Sequence, residues 1–220
     1  MLVVLLFGPP GAGKGTQAAA VAAASGMPHV ATGDMFREHM RLGTPLGLEA
    51  RSYLDSGALV PDDVTIGMLA DRISQPDAAR GFVLDGFPRT LDQATALDRL
   101  LAERGARVSG VLDIEVPEDE LVRRLAGRLV CRAASHPFHV SDAPPAVPGV
   151  CDIDGSELYQ RDDDREDVVR NRVAVFERDT MPVREHYRAL GTPVLTIDGG
   201  RPPEAVAADL VSAVRALRQS

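Results

Sequence analysis

The sequence predicts an α/β protein with a five-stranded parallel sheet flanked by helices. Five short apolar runs recur along the chain, and helical patterns separate them. The runs are continuous rather than alternating, as expected of strands covered on both faces. A Gly-rich turn joins the first run to the first helix, a strand–turn–helix junction typical of doubly wound sheets.

The first strand is "LVVLLF" at 2–7, too short to span a membrane and without a basic stretch before it. An Ala-rich helix follows over about 14–25, then a short strand near 28–31 that ends at Thr32, a plausible N-cap. Helical patterns run over roughly 33–41, 45–55 and 62–74, with Thr44 and Pro45 reading as N-cap and N1 and Gly57 as a stop. "GFVLD" at 81–85 is the next buried strand. "TLDQ" at 90–93 has the form of a capping box, and its helix runs to about 103 before Gly105. "VSGVLDIEV" predicts the fourth strand and "PEDELVRRLAGR" a helix. "PVLTID" at 193–198 is the fifth strand, with a last helix from about 203. Residues 129–163 break the pattern: they hold both cysteines, two histidines, four prolines and no long apolar period. An insert of that length in a compact domain is usually a lid or binding loop.

At 220 residues the chain suffices for one well-buried domain with inserted subdomains. Its net charge of −8 and lack of tryptophan argue against a general nucleic-acid binder. A soluble, cytoplasmic protein is expected, and two cysteines suit a reducing compartment better than a structural disulfide.

Among 24 basic residues only Lys14 is a lysine. It closes the pattern G-x-x-x-x-G-K at 8–14, between a predicted strand and a predicted helix. Glycines let several backbone N–H groups turn toward one phosphate, and the helix N-terminus adds its positive end. An ammonium is a compact charge that fits between phosphates, whereas a guanidinium is planar and wider. That explains a retained lysine in a chain that otherwise uses arginine. Gly15 stands where the common pattern has a Mg²⁺-ligating Ser or Thr, and Thr16 follows. A guanine-reading N-K-x-D motif is impossible without a second lysine, so a switch GTPase is disfavoured.

"GPPGAGKGTQ" together with "TGDMFR" (32–37), "GALVPDD" (57–63) and "LDGFPRT" (84–90) strongly resembles the adenylate kinase family. "GRLVCR" (127–132), "RDDD" (161–164) and "RNR" (170–172) extend the likeness over nearly the whole chain, including a long lid. The resemblance implies transfer of the γ-phosphoryl of MgATP to AMP, giving two ADP, by a monomer with no nucleic-acid or membrane partner. It implies a core at 1–30, 61–127 and 165–220, an AMP-binding arm at 31–60 and a lid at 128–164 that closes to exclude water.

The same resemblance assigns Gly11, Ala12, Gly13, Lys14, Gly15 and Thr16 to the ATP phosphates. Arg124, Arg128, Pro137, Phe138 and Arg201 complete its ATP set. Arg37, Arg89, Arg161 and Arg172 match arginines around the AMP phosphate and the moving group, and Asp85 resembles an acid that orients waters on Mg²⁺. Thr32, Ala58, Leu59, Val60, Gly86, Phe87, Pro88 and Gln93 match the AMP pocket. Gln93 is the residue expected to select adenine, because an amide both donates and accepts. A kinase for another nucleoside monophosphate, or a nucleotide-dependent switch, is the competing reading.

Many lids in this family bind Zn²⁺ through Cys-x2-Cys…Cys-x2-Cys/Asp. Here Cys131, Cys151 and Asp154 keep three positions, and Ala134 occupies the fourth. His136, two residues on, supplies a candidate replacement donor for a structural metal.

Overall fold

The computed structural model describes residues 1–219. Five parallel strands form the main sheet: β1 (Leu2–Phe7), β2 (His29–Ala31), β3 (Gly81–Asp85), β4 (Gly110–Glu115) and, numbered after three shorter strands below, β8 (Val194–Asp198). Their order is β2-β3-β1-β4-β8, which places β1 at the centre. The continuous apolar runs have the expected cause. In β1, Val3, Leu5 and Phe7 join one buried cluster, and Val4 and Leu6 join the other. The first cluster draws in Leu97 and Leu101 of α5 (Leu91–Ala102) and Val183 and Tyr187 of α8 (Met181–Ala189). The second draws in Val21 of α1 (Lys14–Ser25) and Val206, Leu210 and Val214 of α9 (Pro203–Gln219).

Between β2 and β3 lie α2 (Thr32–Arg41), α3 (Pro45–Ser56) and α4 (Asp62–Ile73). They share a small core of Phe36, Ala50, Val60 and Met68. The Thr44 hydroxyl caps α3 by accepting from Gly47 N–H at 3.1 Å, and Gly57 ends that helix at φ 74°. Thr32 corrects the sequence reading. It is the first residue of α2 rather than its cap, and its hydroxyl donates to the Gly86 carbonyl at 2.9 Å. A long-range partner takes the hydroxyl from local capping.

After α6 (Glu118–Ala126) the insert is more ordered than its composition suggests. The strands β5 (Arg128–Cys131), β6 (Pro137–His139) and β7 (Leu158–Tyr159) form an antiparallel sheet in the order β6-β5-β7. Strands this short leave too little alternation to read from sequence. No helix is predicted from sequence between 164 and 193, where α7 (Glu166–Val175) passes through a π-helical turn at 176–180 into α8. The signal was present: Val169 and Val173, then Val183 and Tyr187, are buried at spacings of four. The charged stretch between them and Pro182 interrupted it. Among the described residues no helix is long and apolar enough to cross a membrane.

Candidate active site

The site begins where β1 turns into α1. Gly8, Gly11 and Gly13 take φ values of 139°, 86° and 88°, a curl that side-chain-bearing residues rarely adopt. Lys14 folds back across this loop, and its Nζ donates to the Gly8 carbonyl at 2.7 Å and the Pro9 carbonyl at 2.9 Å. Burial lowers the Lys14 ammonium to about 8, and the charges of Arg89, Arg172 and Arg128 push the same way against Asp85.

Asp85 ends β3 facing His29 of β2, with Oδ2 3.5 Å from His29 Nε2. Burial alone would raise its carboxyl; the His29 ring and the Lys14 ammonium outweigh that and hold it below the usual carboxylate range. A Cβ on Gly15 would stand 3.8 Å from Asp85 Oδ2, so the glycine leaves open the space before this carboxylate.

Five arginines converge beside the loop. Burial lowers Arg89 to about 10, with the charge of Arg172 adding to it; burial and Arg37 lower Arg161 to about 10. Arg172 donates to the Asp163 carbonyl at 2.8 Å and pairs with the Asp163 carboxylate at 3.1 Å. Arg128 forks onto Asp164, from Nε at 2.8 Å and Nη2 at 2.5 Å. Arg37 pairs with Asp34, yet its Nε and that of Arg161 are buried without a hydrogen-bond partner. Six cations, Lys14 included, thus face Asp85, Asp163 and Asp164 around the cleft, with the exposed Asp34 on Arg37 as a fourth carboxylate. Such an excess is costly in an empty protein and favourable once phosphate oxygens fill it.

Two adjoining cavities open here. One is lined by Gly8, Lys14, Gly57, Leu59, Arg89 and Arg172 among others. The second holds Thr32, Phe36, Ala58, Val60 and Gln93. Leu59, Gly86 and Arg89 belong to both walls. Gly86 sits at φ 76°, and a Cβ there would lie 2.9 Å from Arg89 Nη2 and 3.1 Å from Thr32 Oγ1. Phe87 and Pro88 line the first cavity, and Gln93 is buried at the head of α5.

The remaining predicted residues lie farther out. Arg124 reaches from α6 to the Gly199 carbonyl at 2.8 Å, beside Arg201, which is exposed and paired with Asp209. Pro137 and Phe138 sit on β6 in the insert. In the insert the four candidate donors of Cys131, His136, Cys151 and Asp154 all fall within 4.8 Å of one another. Cys131 Sγ is 3.1 Å from Asp154 Oδ2, and His136 Nδ1 is 3.3 Å from Cys151 Sγ and 3.4 Å from Asp154 Oδ2. A tetrahedral zinc with bonds of about 2.0–2.3 Å needs donors roughly 3.3–3.8 Å apart, and the three separations given lie within or just below that range, with all four donors inside 4.8 Å. Both cysteines are free thiols. Ala134 contributes its backbone instead of a side chain, donating N–H to Cys131 Sγ at 3.3 Å.

The adenylate kinase family model matches residues 6–192. An adenylate kinase of Streptomyces avermitilis is 54% identical over 213 residues, covering 96% of each chain. That of Streptomyces griseus is 57% identical over 195 residues, 88% of this chain and 89% of its own. That of Carboxydothermus hydrogenoformans is 50% identical over 212 residues, 96% and 99%.

The chain belongs to the adenylate kinase family. It is accordingly an ATP:AMP phosphotransferase that uses Mg²⁺ with ATP, and its substrates are ATP, AMP and ADP. An adenylate kinase must bring two polyanions end to end, and the cation-rich cleft suits that task. The surroundings also suit Mg²⁺: a carboxylate held ionised at Asp85, beside the open space that Gly15 leaves. Sequence reasoning passed over Asp163 and Asp164 as functional residues, although "RDDD" was in view. Their role as partners of Arg172 and Arg128 is a tertiary fact.

Proposed function

We propose that ATP and AMP bind on opposite sides of Arg89 and that the γ-phosphoryl crosses the cleft between them. The observation that carries this is the shared wall: the cavity at Lys14 and the cavity at Gln93 meet at Leu59, Gly86 and Arg89. In this reading Gly11 to Thr16 hold the ATP phosphates through backbone N–H groups and the Lys14 ammonium. Lys14 leaves its two carbonyl partners to do so. Arg89 and Arg172 grip the AMP phosphate with Arg37, while Arg128 and Arg161 close from the insert over the moving group. Guanidinium forks align the acceptor oxygen with the γ-phosphorus and neutralise charge on the transferred group. Asp85 would hold Mg²⁺ through its waters, and the ion would supply neutralisation of the phosphate charge.

Pro137 and Phe138 line the ATP base, Arg124 closes over ATP and the transfer path, Arg201 completes the ATP site, and Gln93 reads the acceptor base. The domain division follows: core at 1–30, 61–127 and 165–220, AMP arm at 31–60, and a lid at 128–164 whose closure excludes water. The lid holds a structural Zn²⁺ on Cys131, His136, Cys151 and Asp154, a reading supported by the convergence of their donor atoms within 4.8 Å. Two free cysteines and an ordinary overall composition are consistent with a cytoplasmic monomer.

The test is ADP formation across AMP, GMP, CMP and UMP, with Lys14→Met and Arg89→Ala alongside. AMP is expected to lead, and each variant to lose transfer by about a thousandfold or more while keeping its far-UV circular dichroism. Preference for a pyrimidine acceptor would assign the chain to another nucleoside monophosphate. Hydrolysis without acceptor that ignores Arg89→Ala would favour a switch.

A further inference from the structure

Gln93 is almost wholly buried, and its amide is held at both ends. Its Nε2 donates to Asp62 Oδ1 at 2.7 Å, and its Oε1 accepts from the Arg89 backbone N–H at 2.8 Å. The capping box therefore closes one residue early, on Arg89 rather than on the cap residue itself. Thr90 completes a ring: its hydroxyl donates to Asp62 Oδ2 at 2.7 Å and accepts from Gln93 N–H at 3.1 Å. Asp62 is the first residue of α4, so the ring ties that helix to the start of α5.

The partners at the two ends of the amide cannot exchange roles. A carboxylate only accepts, and a backbone N–H only donates. A flipped Gln93 would set its oxygen against the Asp62 carboxylate and its NH₂ against the Arg89 N–H. Thr90 cannot relieve this, because its one proton is already spent on Asp62. What Gln93 has left for a ligand is one N–H on the Asp62 side and one lone pair on the Arg89 side.

We infer that Asp62 is a positioning residue: it fixes the orientation of the Gln93 amide and thereby the acceptor base. The inference rests on the reading of Gln93 as the base-selecting residue. Adenine offers an amino donor at C6 and an acceptor at N1. Hypoxanthine offers the reverse, an acceptor at O6 and a donor at N1. An amide free to flip serves both, whereas one locked between Asp62 and the Arg89 N–H serves one. Asp62 does this without touching the nucleotide.

The test compares kcat/KM for AMP and for inosine monophosphate in wild type, Asp62→Asn, Asp63→Asn and Gln93→Ala. Asparagine keeps the shape of Asp62 but can turn its NH₂ toward a flipped Gln93, which removes one of the two constraints on the amide and leaves only the Arg89 N–H against the flip. The AMP-to-IMP preference is expected to fall by about tenfold or more in Asp62→Asn. The fall should come mainly from a lower KM for IMP relative to that for AMP, rather than from kcat. Asp63 is exposed on the same turn, and Asp63→Asn should keep the wild-type preference. The ratio cancels any loss of folded enzyme, because both substrates see the same active fraction. Retained preference in Asp62→Asn, with preference lost in Gln93→Ala, would overturn the role of Asp62 and leave the Gln93 reading standing. Retained preference in Gln93→Ala would overturn both.

Discussion

Lys14 shows how one side chain carries a pH dependence. Its ammonium sits at about 8 in the nucleotide-free protein against an ordinary 10.5, because burial disfavours the charge. Bound phosphates favour the charged form and restore the proton. Between pH 8 and 10.5 nucleotide binding should therefore take up a proton, and affinity for ATP should fall as pH rises past about 8. Calorimetry in buffers of different ionisation enthalpy reads that uptake, which Lys14→Met should abolish. Asp164 makes a different point. It is 1% exposed and carries both prongs of Arg128. Asp164→Asn leaves a partly buried guanidinium without its counter-charge and should cost about 3 kcal/mol in urea denaturation. Lys14 was legible from a ten-residue window, since strand, glycines and helix are chain neighbours. Asp164 was not, because its partner lies 36 residues away.

At the scale of elements, helices with local stop and start signals were readable, as was the short strand β2 at the sheet edge, and the strands of the insert were not. Thr44, Pro45 and Gly57 bound α3 as their chemistry requires. Thr44→Ala should destabilise by about 1 kcal/mol, the usual worth of a cap, read as a shift in the urea midpoint. The insert is the opposite case. Its strands are two to four residues long, and its buried cluster is only Cys131, Cys151 and Leu158 with Leu129 and Phe138 beside it. So small a core needs a further tie. Purified protein should carry about one zinc per chain by elemental analysis. Chelation should open 132–157 to proteolysis before the main sheet, with cleavage sites read by mass spectrometry. Metal-free protein with equal protease resistance would count against a structural ion. Thr32 shows the limit of local signals: a hydroxyl in a capping position was drawn instead to Gly86, 54 residues on.

For the whole molecule the charge balance is uneven by design of the fold. The chain carries −8 overall, yet its cleft gathers six cations around four carboxylates, Asp34 included. Attraction of nucleotides then depends on a local field that salt screens, with a Debye length of about 10 Å at 0.1 M. Raising ionic strength at constant free Mg²⁺ should raise KM for ATP and AMP well before it alters the melting temperature. The sequence by itself determined the α/β class, the phosphate loop, the family and the candidate residues. The class and the loop rest on apolar period and on spacings of a few residues, which the covalent chain enforces, whereas the family and the remaining candidate residues rest on resemblance to adenylate kinases. Only the tertiary structure decided which carboxylate serves which arginine, that His29 faces Asp85, that four donors of the insert converge, and that Asp62 holds Gln93 from 31 residues away. Such pairings depend on how helices and strands pack across the sheet, and no local spacing encodes that.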